Sequence, residues 1–265
     1  MALLISTNMY RAGELKNVTE YLELFQGKIG VEIFPMFHEK GYEELLEECL
    51  VAFSKVPVSF HGPYYQAEHS AVDGTELYDR TMEMMELTMK YADRLNGRYV
   101  VFHHNNCKID EGKADVMKEV SCMNYRRLRE MYAPHKIQLL VENAGIRAYG
   151  NMLYNEHEFI ELCRKENYPV LIDIGHANAN GWNLYNVMEQ LKDRIVAYHL
   201  HNNDGFHDGH RRIHDGTLNF KSFINAYERM TPQADLVVEY GLEVQGDKVG
   251  ILEDIRLLSA YSEGR

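Results

Sequence analysis

Histidine is the residue type that sets this chain apart. The segment HLHNNDGFHDGH, His199 to His210, with His214 just beyond it, gathers five of the 13 histidines into 16 residues. Neutral imidazole is the commonest protein metal ligand, and carboxylates beside it favour a divalent cation. The segment follows the apolar run Ile195–Tyr198, which reads as a buried strand ending in a ligand-bearing loop. The same pattern recurs along the chain. Apolar runs end on Glu32, His61, His103, Glu142, Asp173, His199 and Glu239, on average about 34 residues apart. Solvated loop starts would more often carry Ser, Asn, Gly or Lys, so seven ionisable ends in series point to one shared site.

Glu142, Asp173, His199 and Glu239 come from four successive strand ends and supply three oxygens and one nitrogen. Such a set suits Zn²⁺, Mn²⁺, Co²⁺ or Mg²⁺ with open positions for substrate. His201 lies on the same strand face as His199 and is the alternative ligand or a substrate contact. Asp208 and His210 form a D-x-H pair on the following loop that can fold back to complete a second metal position. His176, three residues after Asp173, is a ligand or a substrate contact. Glu32 reads as a substrate contact, and Trp182 either caps a sugar ring by stacking or packs a helix start. His38, His69, His135 and His157 read as surface residues. His104, His207 and His214 read as supports behind the mouth. Arg126, Arg127 and Arg129 read as a solvated helix face, while Arg211 and Arg212 are candidates for holding a phosphate.

Elements must bring these residues together. Strands are expected at Ala2–Thr7, Gly30–Phe34, Val58–His61, Tyr99–His103, Gln138–Glu142, Val170–Asp173, Ile195–His199 and Leu236–Glu239, all apolar and often β-branched. Segments of 3.6-type periodicity alternate with them: Leu15–Phe25, Tyr42–Phe53, Thr75–Leu95, Asp115–Tyr132, Glu156–Lys165, Leu184–Lys192, Phe220–Met230 and Lys248–Ala260. About eight βα units in 265 residues, without a Pro/Gly/Ser-rich linker, predict one (β/α)₈ barrel domain over residues 1–265. A doubly wound sheet is the alternative, but no G-x-G-x-x-G follows any strand. A barrel gathers all strand C-termini on one face, where barrel enzymes keep their active sites.

The bulk properties narrow the function. Net charge is −12, from 40 acidic and 28 basic residues, which argues against a large nucleic-acid footprint. The four cysteines are scattered with no C-x-x-C pair, so a reducing cytoplasm is the default. No signal peptide or membrane span is expected. A homo-oligomer is compatible with all of this.

The motifs VSFHGPY, LLVEN, LIDIGH, HLHNNDG…DGH and LVVE, in this order, resemble the xylose isomerase-like superfamily of sugar and sugar-phosphate isomerases and epimerases, inosose-processing enzymes and endonuclease IV. HDGTLNF, with His214 in place of the first glycine, resembles a turn that follows the histidine loop in many of its members. The resemblance implies a xylose isomerase-like TIM barrel. In the isomerase and epimerase branches it implies a metal quartet of Glu142, Asp173, His199 or His201, and Glu239, with Glu142 and Glu239 also acting as acid and base. The substrate is then a small carbohydrate, reacting through an enediolate. In the endonuclease IV branch the resemblance adds His61, His103, His176, Asp208 and His210 to a three-metal cluster that hydrolyses phosphodiesters at abasic DNA. Against that branch stand the acidic charge, the lack of basic loops and the missing Gly-rich turn after the first strand.

Overall fold

Each of the apolar runs becomes a strand of one closed parallel barrel. The strands are β1 (Leu3–Ser6), β2 (Gly30–Ile33), β3 (Val58–Phe60), β4 (Tyr99–Phe102), β5 (Gln138–Glu142), β6 (Val170–Asp173), β7 (Ile195–Leu200) and β8 (Asp235–Val238). They pair in sequence order, and β8 closes the ring onto β1 with Leu236 opposite Leu3. The computed structural model describes residues 1–263. The outer helices are α1 (Thr19–Leu24), α2 (Tyr42–Phe53), α3 (Glu76–Arg94), α4 (Ala114–Tyr132), α5 (Glu156–Lys165), α6 (Ile174–Ala179), α7 (Leu184–Leu191), α8 (Phe220–Met230) and α9 (Lys248–Glu263).

The period of two along each strand sorts its side chains. Val100, Phe102, Val141, Ile172, Tyr198, Leu200, Leu236 and Val238 face outward and join the large core under the helices. Tyr99, Val101, Leu140, Leu171 and Ala197 face inward and plug the barrel in a separate apolar cluster. Two residues further along the same inward faces stand His103, Glu142, Asp173 and His199. The donor residues are therefore the next layer of the barrel interior, sitting on an apolar floor.

Two expectations change. Leu15–Phe25 is not one helix: a 3-10 segment, Ala12–Val18, precedes the short α1. The short helix α6, directly after β6, was not expected, since six residues are too few to display a helical period. Its start is legible in retrospect. Asp173 is the N-cap and its Oδ1 accepts from the His176 backbone N–H at 2.6 Å, so the D-x-x-H spacing is a capped first turn.

The histidines expected at the surface divide. His69 is only 2% exposed and its ring packs 4.5 Å from that of Phe102. His104 is buried too, and its Nδ1 meets Ser121 Oγ on α4 at 2.9 Å, so it lies between barrel and helix rather than behind the mouth. His104 alternates with the inward-facing His103, and both His69 and His104 pack outside the barrel against Phe102. All four cysteines are free thiols. Among the described residues no helix is long and apolar enough to cross a membrane.

Candidate metal centre

Six histidines and four acids from six strand ends and their loops converge at the C-terminal mouth. They fall into three adjoining groups. His61, His103 and Glu142 form one, Glu142, Asp173 and His199 a second, and His176, His201, Asp208 and His210 a third. Glu239 faces His199 with its Oε2 3.3 Å from Nδ1. Glu142 belongs to two of the groups and links them. The quartet expected from sequence is thus assembled around His199 Nδ1, which lies 3.5 Å from Glu142 Oε2 and 3.7 Å from Asp173 Oδ2.

His199 and His201 differ in what each ring already touches. His199 Nε2 donates to Glu32 Oε1 at 2.8 Å, fixing the tautomer and leaving the Nδ1 lone pair turned toward three carboxylates. His201 Nε2 meets Asp173 Oδ2 at 3.0 Å and lies 3.7 Å from Asp208 Oδ1, so it sits between the second and third groups. Both side chains are fully buried. Gly175 allows this packing, because a Cβ there would come within 2.0 Å of the His201 ring.

Other rings are oriented in the same way. His61 Nδ1 donates to the Gly62 carbonyl at 2.7 Å, and His210 Nδ1 donates to the Glu239 carbonyl at 2.9 Å. His103 Nδ1 meets Asn106 Oδ1 at 3.0 Å, and the Asn106 amide is held the right way round because its Nδ2 donates to the Ala67 and Tyr64 carbonyls. The opposite nitrogens face acids: His103 Nε2 is 3.0 Å from Glu142 Oε2, His61 Nε2 3.8 Å from the same atom, and His210 Nε2 3.2 Å from Asp208 Oδ2. A lone pair aimed at a carboxylate needs a positive charge between them.

Protonation supplies some of that charge. The carboxylates of Asp173 and Asp208 overcome burial to hold His176 well above the ordinary histidine value. His210 is pushed up to about 10, burial again being outweighed by Asp208. Burial and the neighbouring His103 push His61 well down, and burial lowers His201. Among the acids, His103 and His199 overcome burial to hold Glu142 well below the carboxylate range, whereas burial drives Glu239 up to about 8. Protonation does not satisfy every atom. His199 Nδ1, His201 Nδ1, His176 Nδ1 and Asp208 Oδ1 are buried without a hydrogen-bond partner, the His176 nitrogen being 3.1 Å from Glu142 Oε1 but misaligned. Orphaned buried donors this close to acids fit a divalent cation. Glu142, Asp173, His199 and Glu239 would hold one, and the flanking groups offer places for more.

Backbone anchors hold the cluster. Asn143, next to Glu142, clamps the Asp173 backbone through both amide atoms at 2.7 and 2.9 Å. His210 adopts φ +40°, a costly conformation for a non-glycine residue, and its carbonyl accepts from Gly241 N–H at 2.8 Å. Above the donors lies a cavity of about 270 Å³, lined by Phe34, Tyr64, Tyr65 and Tyr149 as well as by the metal-facing groups.

Several expected roles do not hold. Glu32 lies fully buried behind His199, away from the cavity, and cannot touch substrate. Trp182 packs 5.8 Å from Phe159 and lines a different cleft, so it caps nothing at the mouth. Arg212 is consumed by Asp254 at 2.8 Å and Asp247 at 2.9 Å and does not reach the cavity. Arg126 and Arg127 do form the solvated face expected, paired to Glu166 and Asp73. Sequence reading missed Asn106 and Asn143, although each stands beside a donor in HHNN and VEN.

Fold and donor set together define a parallel barrel whose chemistry is concentrated at one mouth. The chain belongs to the xylose isomerase-like TIM barrel family, which it matches over residues 20–261. Two uncharacterised proteins of Methanocaldococcus jannaschii are related in sequence. MJ1614 is 26% identical over 149 residues, covering 54% of this chain and 55% of that one; MJ1311 is 25% identical over 175 residues, covering 63% and 58%. The chain thus spans little more than half the length of these curated relatives. Among solved structures, a D-tagatose 3-epimerase-like protein superposes with a TM-score of 0.78 at 18% identity, covering 99% of this chain and 97% of the other. A family 2 AP endonuclease from Brucella melitensis gives 0.71 at 18% identity, covering 90% and 92%. The zinc-bound IOLI protein gives 0.73 at 16% identity, covering 99% and 96%. These likenesses are likenesses of fold.

Proposed function

We propose that the protein is a divalent-metal-dependent isomerase or epimerase of a sugar, sugar phosphate or related polyol. The observation that carries this reading is the convergence of Glu142, Asp173 and Glu239 on His199 Nδ1 at 3.3 to 3.7 Å beneath a small closed-in cavity. A cavity of about 270 Å³ suits a small molecule. When bound, the cation supplies a Lewis acid that polarises a carbonyl and steadies the charge of an enediolate. The residues do the rest. Asp173 and His199, fully buried beneath the cavity, would hold the cation. Glu142 removes the α-proton, and Glu239 returns a proton at the same or the neighbouring carbon. The tyrosines of the rim exclude water from this exchange. The four free thiols and the absence of a membrane-crossing helix among the described residues support a cytoplasmic setting.

A second reading, metal-dependent phosphodiester hydrolysis, is favoured by one specific observation: the His61–His103 and His176–Asp208–His210 groups exceed what a single cation needs. Elemental analysis separates the two. About one equivalent of metal per chain is expected for the isomerase and about three for the hydrolase. Incubation of candidate sugars in deuterated water is expected to wash out the α-proton in a metal-dependent way. Glu142→Gln and Glu239→Gln should each slow that exchange by at least about a hundredfold. Exchange surviving both substitutions would refute the acid and base roles, and cleavage of abasic duplex without sugar exchange would establish the second reading.

A further inference from the structure

We propose that the groove leading out of the metal-facing cavity is an anion subsite, in which Arg11 receives a terminal phosphate or carboxylate of a sugar whose reacting end lies over the donor cluster. The proposal rests on the carbohydrate reading above and names its substrate class. Asn8, Tyr65 and Leu242 form the outer rim of the central cavity, and the same three residues line a second cleft of about 440 Å³. The two compartments therefore adjoin, the outer one lying against the loops after β1 and β2. The inner compartment is lined by no Lys or Arg among the described residues, and Arg11 is the one such residue in the outer compartment.

Arg11 is also available. Its side chain is exposed, and no acid lies within ion-pairing distance of its guanidinium among the described residues. Of the nearby acids, Glu14 accepts from the Arg11 backbone N–H at 3.1 Å, and Glu39, which lines the same cleft, faces His38 Nε2 at 3.4 Å. A planar guanidinium matches phosphate and carboxylate with two parallel hydrogen bonds. Barrels commonly bind phosphate through the loops after strands seven and eight. Here Arg212, in that region, is neutralised by Asp254 and Asp247, and Arg211 lines neither compartment.

The test is equilibrium binding by calorimetry on the metal-loaded protein, using unreactive ligands. A sugar alcohol, its terminal phosphate and the matching aldonate are titrated into wild type, Arg11→Gln and Arg11→Lys. The phosphate, the aldonate or both should bind wild type about tenfold tighter than the neutral alcohol. Arg11→Gln should abolish that preference without weakening the neutral ligand, and Arg11→Lys should restore part of it. Which anion gains identifies the substituent. Equal affinity for neutral and anionic ligands, or a preference that survives Arg11→Gln, would overturn the subsite. Anion-selective binding without proton exchange in the corresponding sugar would leave the subsite standing and sink the isomerase reading instead.

Discussion

At the residue scale the most consequential contact is one that touches no substrate. Glu32 accepts from His199 Nε2–H at 2.8 Å and is itself steadied by Ser59 Oγ at 3.2 Å. A carboxylate behind a ligating imidazole fixes the tautomer and makes the ring a better donor. Glu32→Gln keeps an acceptor but removes the charge. It should weaken metal affinity about 10- to 100-fold, measured by chelator competition, while the fold is retained. Unchanged affinity would assign Glu32 to packing alone. The residue stands at a strand end like the candidate donors, so its sequence position could not separate the two roles. Only depth in the barrel does so.

At the scale of elements, the donors depend on loops that are tied to one another. Glu68, buried in the loop between β3 and α3, accepts from Ser70 N–H at 2.9 Å and Ser70 Oγ at 2.6 Å with one oxygen. The other oxygen accepts from Asn106 N–H at 2.9 Å and Cys107 N–H at 2.7 Å, in the loop after β4. Since Asn106 orients His103, Glu68 positions a donor it never contacts. Glu68→Gln leaves backbone N–H groups facing an amide that accepts at only one end. It should destabilise the protein by about 2 kcal/mol in urea titration, and Glu68→Asp by less. A midpoint equal to wild type would show that water replaces the carboxylate. Glu68 sits in a segment, QAEHS, with no periodicity or motif, which is why the sequence is silent about it.

For the molecule as a whole, two histidines outside the mouth contribute to the response to acid. Burial holds His69 at about 4 and His104 at about 3, against an ordinary 6.5. On acidification the unfolded chain takes up these protons first. Above pH 6.5 the two cost nothing, and stability falls as pH drops from about 6.5 toward 4, by roughly 1.4 kcal/mol per unit for each histidine. His69→Leu forfeits no hydrogen bond, because both ring nitrogens lack a partner, and should flatten the pH dependence of the urea midpoint across that window. An undiminished slope would place the acid sensitivity in the metal-facing cluster. The sequence by itself determined the barrel, its strand positions and the polar residues gathered at its mouth, because buried parallel strands are apolar runs and a parallel barrel must turn all their C-terminal ends to one face. It could not decide which histidines face inward, that Glu32 lies beneath the site, that Trp182 belongs elsewhere, or that Arg11 looks into the groove. Those outcomes depend on depth, loop closure and the partner each side chain meets, and such contacts between residues distant in sequence exist only once the barrel has closed.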